Sequence, residues 1–307
     1  MSLEEQLKNQ RIQSNNSVVT IGTFDGVHIG HQSLLKFLKV TSEKFKYDPI
    51  VIVFKEQPRS IIHNDKSKLY LSTLKDRVNL ISKFTSNIVT IDFNESIKNL
   101  KSEEFINILK KYYNTICIVS GENARIGNDK KLIKNINPKI IKSITTKIEF
   151  NSGVIFSSSN IQKYIEVGNM TETSKLLGRY YCIDGKVIEG KKRGHRIGFP
   201  TANMLPNNQL LIPNIGIYAT ITEIKDSKFL SATSIGFNPT FEKVEKLSIE
   251  TFLIDFNENI YGEKIKLHFL EKIRNEIKFN DQKELIKQMN LDISYIKKNF
   301  LEVKKNL

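Results

Sequence analysis

The chain has 307 residues, 39% hydrophobic and 26% charged, with a formal net charge of +14. That length suggests about two domains with room for real cores, and the composition is ordinary for a soluble protein. No run of about 18 apolar residues occurs, so no transmembrane helix is expected.

The lysines are spread along the chain alongside many Ile and Asn residues. The basic excess therefore reads as compositional drift that helps draw in nucleotide phosphates, with neither a dedicated nucleic-acid surface nor a membrane partner expected. The start, Met1-Ser2-Leu3-Glu4-Glu5-Gln6, lacks the basic-then-apolar pattern of a signal peptide. Cys117 lies in an apolar run and Cys182 follows two tyrosines. Neither spacing suggests a disulfide framework, and a reducing cytoplasm fits best.

Strands are expected over residues 17–21, 50–54, 88–93 and 116–120, with helices over 32–44, 74–84 and 102–113. Leu74, Val78 and Ile81 fall at helical spacing, as do Phe105, Ile108 and Leu109. Alternation of this kind implies right-handed βαβ units on a parallel sheet, with ligands beyond the carboxyl ends of its strands. The first strand runs into Gly22-Thr23-Phe24-Asp25-Gly26-Val27-His28-Ile29-Gly30-His31 at the start of the first helix. Helix N-termini offer free N–H groups and a positive dipole end, and a glycine between two histidines lets a phosphate approach the backbone. This turn reads as a nucleoside triphosphate site. The plainer reading is a helix cap or a fragment of a metal site, and the lone, distant cysteines supply no zinc partner.

Beyond about Arg179, short strands dominate, at 182–188, 216–224, 230–236, 248–255 and 264–270, with helical stretches at 282–289 and 293–301. That pattern suggests an antiparallel barrel or sandwich. Gly190, Gly194 and Gly198 recur at four-residue spacing among Lys191, Lys192, Arg193, His195 and Arg196. Such a stretch suits a phosphate-wrapping loop, although a flexible basic hairpin is a common alternative. Thr201 and Asn203, two apart on an extended segment, put two hard oxygens on one face, suited to a Mg2+ ion that keeps several waters. Glu250 alternates with Phe252 and Ile254. A carboxylate on an apolar face is costly unless paired or used, which makes Glu250 a candidate general base, with a salt-bridged glutamate as the plainer option.

These residues, together with Ser157-Ser158-Ser159, Leu176-Leu177-Gly178-Arg179, Gly198-Phe199-Pro200-Thr201-Ala202-Asn203, Gly236-Phe237-Asn238-Pro239-Thr240-Phe241, Asp255, Tyr261-Gly262, Arg274 and Phe279, resemble the prokaryotic bifunctional riboflavin kinase/FMN adenylyltransferase family, also called FAD synthetase. The resemblance implies a Rossmann-like nucleotidylyltransferase sheet over residues 1–180 and a small antiparallel β-barrel with a closing helix over 181–307. It implies that the barrel phosphorylates riboflavin with ATP, Thr201 and Asn203 holding the Mg–nucleotide, Glu250 taking the hydroxyl proton, and Gly190, Gly194 and Gly198 covering the phosphates. Arg274 would help close over the flavin. In the first domain His28 and His31 would stabilise the ATP phosphates as FMN is adenylylated. Gly22, Phe24, Asp25, Gly30 and Ser157, Ser158 and Ser159 would bind the nucleotide.

Three departures fall in the first domain. Gln57 stands where the family usually has a histidine, Ala124 where it has an aromatic, and Gln162 where it has an arginine. Loss of a charge-assisted arginine contact costs roughly 1.5–3 kcal/mol of binding. The resemblance thus leaves three readings: an enzyme making FMN and then FAD, a riboflavin kinase with a weak or inactive first domain, and a non-catalytic flavin- or nucleotide-binding regulator.

Overall fold

Strand β1 (Ser17–Gly22) begins a sheet whose apolar residues are buried on both sides: Val18 belongs to one core and Val19 to the other. That double burial is the signature of a parallel sheet covered by helices on both faces. In this computed structural model, which describes residues 1–10, 12–58, 69–146, 156–190, 194, 198–238 and 246–305, the chain divides into two compact units, Met1–Ser158 and Ser159–Leu307.

In the first unit, β1, β2 (Asp48–Phe54), β3 (Ile88–Ile91), β4 (Thr115–Gly121) and β7 (Lys142–Thr146) form a parallel sheet in the order β3-β2-β1-β4-β7. Short strands β5 (Arg125–Ile126) and β6 (Lys131–Leu132) form a separate hairpin. Helices α2 (Ile29–Phe45) and α3 (Leu74–Ile81) cover one face through Leu34, Leu35, Leu38 and Ile81. Helices α1 (Leu3–Lys8) and α5 (Ser102–Tyr113) cover the other through Leu3, Leu7, Phe105 and Leu109, and α4 (Glu95–Lys98) adds Ile97. The strand order reverses between β1 and β4, so the turn after β1 sits at the switch point, where open α/β sheets bind ligands.

Strand β3 stops at Ile91, short of the expected Phe93, and its outer edge is met by Gln6 of α1 and by Gln10 just beyond it. The Gln6 side chain accepts from Asp92 N–H at 2.7 Å and donates to Asp92 O at 3.1 Å; Gln10 does the same for Thr90 at 3.0 and 2.7 Å. Two side-chain amides thus take the place of a neighbouring strand and blunt the sheet edge.

Helix α6 (Ser158–Glu166) has its first residue in the first unit and the rest in the second, which continues with α7 (Met170–Leu177), β8 (Tyr181–Ile188), β9 (Thr201–Pro206), β10 (Gly216–Ile224), β11 (Ser227–Asn238), β12 (Lys246–Leu253) and β13 (Lys264–Arg274). These strands close a barrel in the order β10-β11-β12-β9-β8-β13. The expected combination of a Rossmann-like parallel sheet and a small antiparallel barrel with a C-terminal helix is the observed fold. Strand β12 ends at Leu253 rather than 255, because Asp255 takes a left-handed conformation (φ 58) that breaks the ladder.

Inside the barrel, Thr220, Thr222, Ser231, Thr233 and Thr251 are completely buried. Their hydroxyls bond one another: Thr220 Oγ1 lies 2.8 Å from Ser231 Oγ and 2.7 Å from Thr233 Oγ1, and Thr233 Oγ1 donates to Thr251 Oγ1 at 2.9 Å. On the outer face Ala219, Ile221, Leu230, Ile254 and Leu270 pack against Ile296 of helix α8 (Gln282–Lys305). This helix is continuous where two stretches are expected. Across the gap, Asn290 Nδ2 donates to Ile286 O at 3.0 Å, while Asp292 is held by Arg274 and Gln288.

Candidate active sites

In the first unit, Gly22 ends β1, and Phe24 (φ 53) and Val27 (φ 39) are both left-handed. Non-glycine residues adopt that conformation at a cost, so the surroundings must fix it. Asp25 does so from within. Its buried carboxylate accepts from Leu71 N–H at 2.9 Å through Oδ1 and from Gln57 Nε2 at 3.3 Å through Oδ2. Next to it, Gly26 N–H donates to Ser72 Oγ at 2.8 Å, and Ser158 Oγ donates to Asp25 O at 3.0 Å. Ser157 precedes that serine, and Ser159 follows it in the first turn of α6.

His28 caps α2, its Nδ1 accepting from His31 N–H at 3.3 Å. The cap and the phosphate readings of this motif therefore share one residue. The two imidazoles stack with centroids 3.7 Å apart, and the buried Phe24 ring tilts against His31 at 5.2 Å. A Cβ at Gly30 would stand 3.1 Å from His28 Nδ1 and 3.2 Å from Phe156 Cβ. The glycine thus lets the His28 ring fold back, and the space beside its Cα, expected to be open for a phosphate, holds that ring. His31 Nδ1 is sealed from solvent without a hydrogen-bond partner among the described residues. Burial first, and His28 second, hold His31 well below the ordinary imidazole value. The ring is accordingly neutral at neutral pH, a hydrogen-bonding group rather than a fixed cation.

Of the departures, Gln57 turns toward Asp25, Ala124 packs against the α1/α5-side core, and Gln162 lies on α6. The sequence reading missed Leu71, Ser72 and Arg77, which support the turn from 46 or more residues away, and Tyr70, whose hydroxyl accepts from Gln57 N–H.

In the second unit, β9 pairs with β12 so that Asn203 faces Glu250 and Thr201 faces Phe252. Pleating puts Thr201, Asn203, Glu250 and Phe252 together on the outer face of the barrel. Thr201 Oγ1 donates to Glu250 Oε2 at 3.1 Å, and Ser248 Oγ to Oε1 at 3.4 Å. A cavity of about 680 Å³ opens here, lined by Thr201, Glu250, Phe252, Arg274, Phe279 and Asp292 among others. A second, of about 300 Å³, also has Thr201 in its wall, with Pro200, Phe256, Asn257 and Tyr261.

Arg274 lies at the cavity, but its donors are engaged. Nε and NH2 bond the Asp292 carboxylate at 3.1 and 2.7 Å, and NH1 bonds Asn275 O at 3.1 Å. Gly190 lies so close to the Asn203 amide that a Cβ would collide with it. Gly194 O accepts from Phe199 N–H at 2.9 Å, and Gly198 takes φ 85. Lys191, Lys192, Arg193, His195, Arg196, Pro239, Thr240 and Phe241 lie outside the described residues.

Thr201 and Asn203 present neutral oxygens beside one carboxylate, and no cluster of three or more His, Cys, Asp or Glu side chains among the described residues is arranged to hold a metal ion. This donor set fits a divalent ion that arrives bound to a triphosphate rather than one caged by protein.

Residues 10–163 match the family described as FAD synthetase, and residues 177–300 match the one described as riboflavin kinase. The "Bifunctional riboflavin kinase/FMN adenylyltransferase" of Buchnera aphidicola subsp. Schizaphis graminum is 35% identical over 312 residues, covering 98% of this chain and 99% of the relative. The protein of the same name from Bacillus subtilis (strain 168) is 34% identical over 284 residues, 90% of each chain. A crystal structure from Streptococcus pneumoniae, titled as a macrolide-efflux protein, matches with a TM-score of 0.88 and 29% identity over 95% of this chain and 97% of that one.

Proposed function

This chain belongs to the bifunctional riboflavin kinase/FMN adenylyltransferase family, and on that footing we propose that it phosphorylates riboflavin to FMN and adenylylates FMN to FAD. The two activities divide between residues 1–180 and 181–307. The observation that carries the kinase half is the 3.1 Å contact between Thr201 and Glu250 at the edge of the 680 Å³ cavity.

In the kinase reaction, the 5′-hydroxyl oxygen of the ribityl chain attacks the γ-phosphorus of ATP. The bond from that phosphorus to the β–γ bridging oxygen breaks, ADP leaves and Glu250 receives the hydroxyl proton. Phosphoryl transfer of this kind depends on positioning and charge neutralisation more than on covalent help from the protein. Thr201 and Asn203 hold the Mg–nucleotide, the ion supplying positive charge at the phosphates. Thr201 in the walls of both cavities supports flavin in the larger and nucleotide in the smaller. Arg274 serves the flavin side by fixing the α8 wall through Asp292.

In the adenylyl transfer, an FMN phosphate oxygen attacks the α-phosphorus of ATP and pyrophosphate leaves. No general base is needed, because the nucleophile is already an anion. His28 and His31 stabilise the charge that shifts onto the phosphates. Gly22, Phe24, Asp25 and Gly30 shape the turn, and Ser157, Ser158 and Ser159 supply hydroxyls.

A second reading, a riboflavin kinase with a weak or inactive first unit, is favoured by Gln57, whose amide is spent on Asp25. The efflux in the Streptococcus title finds no support here: among the described residues no helix is long and apolar enough to cross a membrane. The two free cysteines support a cytoplasmic location.

The test is incubation of pure protein with riboflavin, ATP and Mg2+, followed by chromatography. FMN followed by FAD is expected. FMN without FAD, even when FMN is supplied directly, selects the second reading, and neither product leaves the regulator.

A further inference from the structure

Arg77, on α3, is 2% exposed, yet it carries a guanidinium. NH1 donates to Thr23 O at 2.8 Å and to Phe54 O at 2.9 Å, and NH2 donates to Lys55 O at 2.7 Å. Thr23 follows the end of β1, Phe54 is the last residue of β2, and Lys55 comes next. One planar fork therefore ties together the carboxyl ends of two neighbouring strands, where the two loops of the first site begin. One loop runs through Phe24 and Asp25 to His28 and His31, and the other through Lys55 to Gln57. They meet again at the Gln57–Asp25 contact of 3.3 Å, and Gln57 N–H donates to the Tyr70 hydroxyl at 3.1 Å. The Tyr70 ring lies 5.5 Å from the guanidinium carbon.

This arrangement is costly as a purely stabilising device. Among the described residues, Arg77 Nε is buried with no hydrogen-bond partner. Burial also lowers the Arg77 pKa, against the opposing pull of Asp25 and Tyr70. An unmet buried donor in a native fold calls for an explanation. The geometry offers one: three carbonyls converge from two strand ends, and only a planar, multi-donor cation reaches all three.

We propose that Arg77 is a positioning residue for adenylyl transfer, fixing the spacing between the His28/His31 turn and the 55–57 segment. It acts through the Thr23 carbonyl on the left-handed Phe24 turn and through Phe54 and Lys55 on Gln57. It touches no phosphate. The inference rests on the adenylyltransferase reading of the first unit, and the experiment separates the two.

The experiment uses the full chain with Arg77→Lys, which keeps the charge and loses the fork. FAD formation from added FMN is measured at a temperature where melting shows the variant fully folded. Misplacement of reacting groups by about 1 Å costs on the order of 10²-fold. A fall in kcat of roughly 10- to 100-fold is expected, with KM for ATP within about threefold and FMN formation within about twofold of wild type. A merely structural role would leave kcat of the folded variant unchanged, and that result overturns the inference. So does a raised KM with unchanged kcat, which would place Arg77 in ground-state binding. If Arg77→Lys does not fold, Tyr70→Leu withdraws the ring beside the guanidinium and the hydroxyl on Gln57. It should lower kcat about three- to tenfold in the same assay, and wild-type kcat there overturns the inference. A wild-type protein that makes no FAD overturns the adenylyltransferase reading, and this inference with it. Active wild type beside an equally active Arg77→Lys overturns the inference alone.

Discussion

Asp292 grips Arg274 side-on, accepting from Nε at 3.1 Å and from NH2 at 2.7 Å, while Gln288 Nε2 donates to its other oxygen at 2.9 Å. The pair joins the end of β13 to the middle of α8 at the wall of the larger cavity. Asp292→Ala leaves the guanidinium without its carboxylate. Arg274 keeps 17% side-chain exposure, so the expected loss is about 2 kcal/mol, below the roughly 3–5 kcal/mol of fully buried pairs. Denaturant unfolding reads that loss. KM for riboflavin should rise more than kcat falls, and FAD formation from added FMN should not change.

His31 makes the first unit acid-sensitive. Its folded pKa lies well below the ordinary value of 6.5. Below about pH 6.5 the unfolded chain therefore binds a proton that the fold refuses, and stability falls as pH drops. His268, also lowered, chiefly by burial and despite Glu223, adds a contribution of the same sign from the barrel. Thermal melting should show a lower Tm at pH 5.5 than at 7.5, and His31→Gln should reduce the difference without removing it.

Glu250→Gln keeps shape and removes the proton acceptor. General-base losses run to about 10²–10⁴-fold, so FMN formation should fall by that amount, while adenylylation of added FMN continues. Loss of both activities would point instead to misfolding.

The barrel's hydroxyl network should matter to stability and not to rate. Thr220→Val removes the hydroxyl that meets Ser231 and Thr233; Ser231 keeps Thr222 and Thr233 keeps Thr251, so the expected loss is that of the missing bonds, about 0.5–1.5 kcal/mol. A lower urea midpoint with unchanged KM for riboflavin is the expected outcome.

The sequence patterns that proved legible were those whose cause is local. Helix α5 and strand β10 occupy the residues expected of them, Ser102–Tyr113 and Gly216–Ile224, because periodic apolar faces and turn residues bound them. That Thr201 shares a face with Asn203, and Glu250 with Phe252, was readable because a spacing of two puts residues on one face of a strand; that the two pairs meet across β9 and β12 was not. Helix α1 was not expected: six residues are too few to show a period, and its contacts are distant, Leu3 and Leu7 in the core and Gln6 on Asp92, 86 residues away. Strand β7, Lys-Ser-Ile-Thr-Thr, is polar and half-buried at a sheet edge, so hydrophobicity does not mark it. The supports of the His28/His31 turn were hidden for a similar reason. Leu71, Ser72 and Arg77 are ordinary residues until folding brings them to the turn.

Because the larger cavity lies on the outer face of the barrel, its two sides answer to different forces. One side is a closed ladder of backbone hydrogen bonds around a filled interior, which cannot yield without unzipping strands. The other includes a single helix, seated on apolar side chains and tied by the Arg274–Asp292 pair. Substitutions along α8 can therefore retune how tightly a ligand is enclosed while leaving Thr201 and Glu250 at their 3.1 Å separation. Grip and chemistry in this half of the molecule are separately heritable.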